Sequence, residues 1–178
     1  ALWLLAREDS NFVCGIPVDV WKKWIPAIID SRMSGSTEIH QILVRAAYEV
    51  SSDEVLAILM RLIDHNNSDE RVDYLYVTQG FDACWDARFA KALLCKAKDS
   101  SLKPGIVRSL LEDLLEHKVE GARAFAESLI CVPLSENREV QSRTIFAAQA
   151  LMTFAEDAGW IVLWPNIQRD AEFGRELF

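Results

Sequence analysis

The chain has 178 residues, of which 51% are hydrophobic, and a formal net charge of −8 at pH 7. This length is enough for one domain with a buried core, and the apolar content excludes intrinsic disorder. The acidic balance counts against a nucleic-acid groove, because phosphate binding requires concentrated positive charge. Apolar runs such as 1–6 and 160–164 are far shorter than the roughly 20 residues that cross a bilayer. We therefore expect neither nucleic acid nor a membrane as a partner.

The beginning of the sequence suggests that it is part of a longer protein. The chain does not start with Met, and residues 1–6 already have the composition of a helix interior. We therefore expect an excised piece whose residues 1–178 form a single helical-repeat domain. No signal peptide or targeting tail is recognisable, which predicts a cytoplasmic protein.

The four cysteines are far apart in the sequence and form no CxxC pair; they are Cys14, Cys84, Cys95 and Cys131. In a cytoplasmic protein such residues are reduced thiols. We expect those in the helical patterns to behave as small buried hydrophobes.

The first predicted elements are helices separated by clear turn signals. A short N-terminal helix ends at the turn cluster 9–11, and the next helix covers about 18–32. Pro26 lies inside that helix and should kink it, since proline removes a backbone hydrogen bond. The sequence Ser-Gly-Ser at 34–36 then breaks the helical pattern.

Two further helices are predicted at about 37–50 and from 52 up to the turn at 66–68. Ser51 and Glu54 match a capping box that opens the second helix. Because only one or two residues separate the helices, we expect an antiparallel hairpin. Their apolar stripes have helical spacing and consist of Ile39, Ile42, Leu43, Ala46, Ala47 and Val50, then Val55, Ile58, Leu59, Leu62 and Ile63.

Residues 71–79 are ambiguous, because apolar and polar residues alternate there as they do in a strand. A lone strand has no pairing partner in a helical chain, so we expect a helix that Gly80 interrupts. A helix over 81–97 follows, with Trp85 on its apolar side.

Ser101 is the predicted cap of the next helix, with Pro104 in its first turn. Its apolar stripe comprises Ile106, Val107, Leu110, Leu111, Leu114 and Leu115, and its opposite face, with Arg108, Glu112, Asp113 and Glu116, is expected to be solvated.

The remaining predicted elements are three helices and a loop. One helix lies over about 119–130, and residues 132–135 form the loop. A long helix runs over about 137–157, with Gly159 as its C′ glycine. The last helix starts at Trp164–Pro165.

The order of these elements predicts an all-α fold. Helix starts near 37, 52, 83, 102, 119 and 137 give hairpin units of about 35 residues, which is typical of helical-repeat proteins. The paired stripes at 39–50 with 55–63, and at 106–115 with 122–130, resemble HEAT-like repeats. That resemblance implies stacked antiparallel hairpins, which form an α-solenoid or α–α superhelix. A partial echo also relates 1–6 to 150–155, and 24–30 to 164–170.

The C-terminal string 160–176, WIVLWPNIQRDAEFGRE, is similar to a segment of the helical-repeat regions of bacterial NACHT-type (STAND) signal-transducing NTPases. The resemblance implies the sensor or scaffold arm of such a protein. Since no GxxxxGK[ST] loop occurs here, the nucleotide-binding motor would lie elsewhere in the parent chain.

No constellation typical of catalysis or of metal binding is present. His40, His65 and His117 are scattered without an HxxxH or HExxH spacing, and no GxSxG motif or Cys–His pair occurs. His65 and His117 near helix C-termini are better explained by the helix dipole. We therefore expect no cofactor, no metal site and no enzymatic activity.

Two alternatives remain open. Some helical-repeat proteins are DNA glycosylases, and Trp85, Asp86 and Arg88 would be the candidates for such an activity, which the acidic net charge opposes. A structural spacer or oligomerisation segment is the other alternative.

The six tryptophans are the best candidates for binding residues, although packing between helices would also explain them. Trp21, Trp24, Trp160 and Trp164 lie in the two echo segments, and Trp and Arg are favoured anchors at protein interfaces. We therefore predict a non-catalytic interaction, scaffold or sensor module, whose partner is another protein or another domain of the parent chain. The predicted partner-binding residues are Trp160, Trp164, Arg169, Asp170, Phe173 and Arg175.

Overall fold

The computed structural model describes Ala6 and residues 15–30, 37–75 and 77–178. Within these residues all regular structure is helical and no strand occurs, which confirms the all-α class. The stacking of hairpins into a solenoid remains a prediction. The predicted turn at 9–11, the break at 34–36, Cys14 and the echo segment 1–6 apart from Ala6 lie outside the described residues.

Eight α-helices and two short 3-10 helices make up the described part of the chain. They are α1 (Val18–Asp30), α2 (Thr37–Ser68), the 3-10 helices Val77–Gly80 and Asp82–Cys84, α3 (Ala87–Ala97), α4 (Pro104–Glu116), α5 (Ala122–Ser128), α6 (Arg138–Phe154), α7 (Glu156–Arg169) and α8 (Ala171–Leu177). The helical path of α2 is broken at Ser51, where φ is −153° and ψ is 70°. That break confirms the predicted boundary between two helices. Pro26 lies inside α1, also as predicted.

The chain divides into two compact units. The first comprises residues 1–66 and 76–89, and the second comprises residues 67–75 and 90–178.

The core of the first unit is aromatic as well as aliphatic. Phe89 is its central ring: it stacks on Phe81 at 5.4 Å between ring centroids and meets Tyr48 and Trp85 edge-on at 5.9 and 5.1 Å. Such pairs stabilise a core beyond the area that they bury. The buried aliphatic residues of this unit include Ile25, Leu43, Val44, Val55, Leu59 and Ile63.

The core of the second unit is built around α6. This helix contacts α4, α5, α7 and α8, and its alanines Ala147, Ala148 and Ala150 are buried. Small side chains allow neighbouring helices to approach closely, which explains how one helix can serve four partners. All six residues of the predicted α4 stripe are buried, which confirms that stripe.

The prediction that the opposite face of α4 is solvated is only partly correct. Glu116 is exposed, but Glu112 is half-buried and accepts hydrogen bonds from Arg108 Nε at 2.8 Å and from the Tyr74 hydroxyl at 3.1 Å. The Arg108 guanidinium also lies over the Phe146 ring, 5.2 Å from its centroid. These side chains therefore belong to the packing of the unit.

The prediction of a helix at 71–79 is wrong: residues 69–75 are irregular, and the 3-10 helix Val77–Gly80 follows. Distant side chains satisfy the backbone of this segment. Lys103 Nζ donates to the carbonyls of Asp69 and Val72, and the Leu75 amide donates to Ser109 Oγ. Because these partners replace helical hydrogen bonds, the segment does not need a helix.

The helix predicted at 81–97 begins only at Ala87. Asp86 Oδ1 accepts the backbone N–H groups of Arg88 and Phe89 at 2.9 and 2.8 Å. A carboxylate that caps the first turn in this way fixes the start of a helix. Similarly, Lys103 rather than Ser101 is the N-cap residue of α4, although Pro104 occupies the first turn as predicted.

The helix boundaries near the C-terminus also differ from the prediction. The long helix α6 ends at Phe154, and Gly159 lies inside α7. A Cβ at Gly159 would lie 2.3 Å from the Leu151 carbonyl oxygen, so glycine is required there by close packing and not as a C′ residue. Trp164 and Pro165 lie within α7, and the last helix starts after Asp170.

Candidate functional site

The six predicted partner-binding residues occupy different environments in the second unit. The side chains of Trp160 and Trp164 on α7 are 41% and 53% exposed, whereas Phe173 on α8 is buried. Arg169 and Arg175 are exposed, and Asp170 is half-buried. The structure therefore places Phe173 in the core and leaves the two tryptophans on the surface.

The exposed tryptophans belong to a larger apolar patch. The Trp160 ring meets Trp164 edge-on at 5.9 Å between centroids and lies 6.4 Å from Phe178. Ile161 and Phe178 are 73% and 78% exposed. We call Trp160, Ile161, Trp164 and Phe178 the aromatic face. Half of the large hydrophobic side chains that are exposed in the described part of the chain lie in it, and clustered exposure of this kind marks interaction surfaces.

The packing of α7 determines which of its sides is exposed. Leu163 is buried, and Gly159 on the same side brings the helix against the Leu151 carbonyl of α6. Trp164 follows Trp160 by four residues and Ile161 by three, and side chains with these spacings are neighbours on a helix surface. Since Gly159 and Leu163 fix the inward side, Ile161 and Trp164 are directed to solvent.

Ile161 and Phe178 are the residues that sequence reasoning missed. The signal for Ile161 was available, because Ile161 precedes Trp164 by three residues, which places the two side chains side by side on a helix. Phe178 follows the last residue of α8, where periodicity carries little information.

Asp170 and Arg169 hold the junction of α7 and α8 together. Asp170 accepts the N–H groups of Glu172 and Phe173 as the N-cap of α8, and it also accepts the Leu134 amide. These backbone donors, with that of Phe173 first, lower the pKa of the Asp170 carboxyl below its ordinary value. Arg169 Nη2 donates to the Val132 carbonyl at 3.3 Å. Both side chains therefore have structural contacts.

Charged side chains of both signs flank the aromatic face: Arg123 Nη2 donates to the Ala158 carbonyl at 3.4 Å, and Arg169 is exposed on α7. On α7, exposed Asp157 lies three and four residues before Trp160 and Ile161, which is one helical turn. On α8, Glu172, Arg175 and Glu176 are exposed. The net charge of −8 is therefore a property of the chain as a whole rather than of this surface.

The residues considered for glycosylase chemistry have structural contacts. Trp85 packs edge-on against Phe89, and Asp86 caps α3 while accepting the Tyr48 hydroxyl at 2.9 Å. Arg88 donates to Ser52 Oγ at 2.6 Å and pairs with Asp53. Burial is the main cause that raises the pKa of the Tyr48 hydroxyl, followed by its hydrogen bond to Asp86.

The histidines and carboxylates do not assemble a metal site in the part of the chain that the structure describes. The ring Nε2 of His40 lies 2.9 Å from the Ile28 carbonyl, and the ring Nδ1 of His117 lies 3.0 Å from the Asp113 carbonyl. In the same residues, no helix combines the length and the apolar character that spanning a membrane requires.

The cysteines only partly follow the prediction. Cys84 is buried, and desolvation is the main cause that raises the pKa of its thiol to about 12. Cys95 and Cys131 are exposed, so the expectation that they are buried is wrong. Cys95 lies on the outer side of α3, and Cys131 lies in the loop after α5.

Comparisons of the chain with known proteins found no match. No protein-family model matches the chain, and neither a curated protein nor a solved structure matches it significantly. The resemblances to HEAT-like repeats and to NACHT-type NTPases therefore remain predictions.

Proposed function

We propose that this chain is a non-catalytic protein-interaction module whose binding surface is the aromatic face. The observation that carries the proposal is the clustering of Trp160, Ile161, Trp164 and Phe178 at exposures of 41–78%. Rigid aromatic side chains on a helix offer a large contact area at low entropic cost, and Trp is among the residues most enriched at binding hot spots.

The occupant that we propose is a segment of another protein, or of another domain of the parent chain, with apolar side chains flanked by Lys or Arg. Its apolar side chains would cover Ile161 and the two tryptophans, and its cations would face Asp157. The net charge of −8 would in addition attract such a segment over distances up to a Debye length.

A random-peptide display selection against the chain tests this proposal. We expect enriched peptides to combine apolar residues with Lys or Arg. Their enrichment should disappear when the same library is selected against the Trp160→Ala/Trp164→Ala double variant. Enrichment of peptides that bind both chains equally would contradict the aromatic face as the binding surface.

Self-association is the competing outcome. Sedimentation equilibrium of the unliganded chain distinguishes it: a dimer that Ile161→Asp dissociates would show that the aromatic face joins two copies. We expect the native chain and the Ile161→Asp variant to have the same oligomeric state.

A further inference from the structure

Residues 69–75 form a strap in the second unit that polar contacts attach to α4. Lys103 Nζ donates to the carbonyls of Asp69 at 2.7 Å and Val72 at 3.4 Å. Further along, the Tyr74 hydroxyl donates to Glu112 Oε2 at 3.1 Å, and the Leu75 amide donates to Ser109 Oγ at 3.0 Å. All of these partners lie on α4 or at its N-cap.

The strap itself contributes little to the hydrophobic core. Leu75 is its one buried residue, Asp69 and Val72 are half-buried, and the remaining four residues are exposed. Its internal backbone hydrogen bond joins the Val72 amide to the Asp69 carbonyl. Segments with few buried apolar contacts open at a lower free energy than the core that surrounds them.

Lys103 is itself held in position from two sides. Its backbone N–H donates to Asn67 Oδ1 at 2.7 Å, and Asn67 Nδ2 donates in turn to the Ser101 carbonyl at 3.1 Å. One ammonium group therefore reaches two strap carbonyls from a fixed backbone. Hydrogen bonds from a charged donor are stronger than neutral ones.

We infer that the strap opens and closes on α4 as a local unit, with the Lys103 ammonium as its latch. Opening uncovers the first turn of α4, where the Asp73 carbonyl packs so closely on Gly105 that a Cβ there would lie 1.8 Å from its oxygen.

Amide hydrogen exchange of the intact chain, followed residue by residue by NMR, tests this inference. In the native chain, exchange at Leu75 should be faster than at Leu110 of α4 and independent of low denaturant concentrations. Lys103→Met keeps the apolar stem and removes the ammonium, so it should accelerate exchange at Leu75 by about tenfold or more. The matched control, Lys91→Met on the exposed side of α3, should leave that rate unchanged.

Two results would overturn the inference. If Leu75 exchanges at the native rate in Lys103→Met, the ammonium is not the latch. If Leu75 and Leu110 exchange at the same rate with the same denaturant dependence, the strap opens only when the whole unit unfolds. This second criterion uses the native chain alone, so it holds even if Lys103→Met does not fold.

Discussion

Three substitutions on α4 compare the cost of losing a core side chain, a hydrogen-bonded side chain and an exposed side chain. Leu111 is buried in the stripe, so Leu111→Ala should cost about 2–5 kcal/mol through the cavity it leaves. Glu112→Ala removes the acceptor of Arg108 and Tyr74 and should cost about 1–2 kcal/mol. Glu116→Ala on the exposed face should change the free energy of unfolding by less than about 0.5 kcal/mol. Urea denaturation measures all three. Equal losses of unfolding free energy for Glu112→Ala and Glu116→Ala would show that the hydrogen bonds of Glu112 with Arg108 and Tyr74 do not stabilise the fold.

Gly105 and Gly174 form a matched pair of glycines within helices. A Cβ at Gly105 would lie 1.8 Å from the Asp73 carbonyl oxygen, whereas a Cβ at Gly174 would lie 3.2 Å from Ile167 Cγ2. Gly105→Ala should therefore destabilise the chain by about 1–3 kcal/mol by overpacking, despite the better helix propensity of alanine. Gly174→Ala should change stability by less than about 1 kcal/mol. Thermal unfolding of both variants checks this, and a stabilised Gly105→Ala would disprove the close contact of the strap.

The cap of α8 makes the stability of the chain depend on pH. Asp170 has a lowered pKa in the folded chain because it accepts the amides of Phe173, Leu134 and Glu172. A carboxyl of this kind stabilises the fold fully above its unfolded pKa of about 3.9, and the contribution is lost as the pH falls through the folded value.

Asp170→Asn isolates this effect, since asparagine also caps helices but does not titrate there. We expect the free energy of unfolding of the native chain to fall between pH 5 and 3, and the fall to be shallower in the variant. Urea denaturation at several pH values measures both slopes. Identical slopes would show that the Asp170 carboxyl does not contribute.

Hydrophobic periodicity predicted helices correctly where local sequence, rather than contacts with distant residues, determines the backbone conformation. The α4 stripe is buried as a whole, and the helical path breaks at Ser51, where the capping-box pattern begins. Residues 69–75 could not be predicted in this way, because their conformation depends on Lys103 and Ser109, which lie more than 30 residues along the chain. Gly159 was misassigned because a glycine that ends a helix and one that permits close packing look alike in a sequence.

The same limit applies to the candidate site. The tryptophans and the helix that carries them could be recognised from the sequence, but which side of α7 faces solvent depends on the Leu151 carbonyl that Gly159 meets. Phe173 was included in the site because it follows the tryptophans, yet it lies in the core. Helical spacing groups residues by face, and only the packing of α7 shows which face is exposed.

At the scale of the whole molecule, the acidic net charge should attract a cationic peptide before it makes contact. With a net charge of −8, the association of a cationic peptide should weaken as salt screens the attraction. The contact with the aromatic face is apolar and should persist at high salt. The affinity of a selected peptide should therefore fall when NaCl is raised from about 50 to 500 mM but not disappear.

The most direct test compares two tryptophans of the same exposure. Trp160 is 41% exposed on α7, and Trp24 is 43% exposed on α1, so replacing either removes a similar surface. Isothermal titration with a peptide from the display selection should give a dissociation constant at least tenfold larger for Trp160→Ala and a native value for Trp24→Ala. Equal dissociation constants for the two variants, with both folded, would contradict the aromatic face as the binding surface.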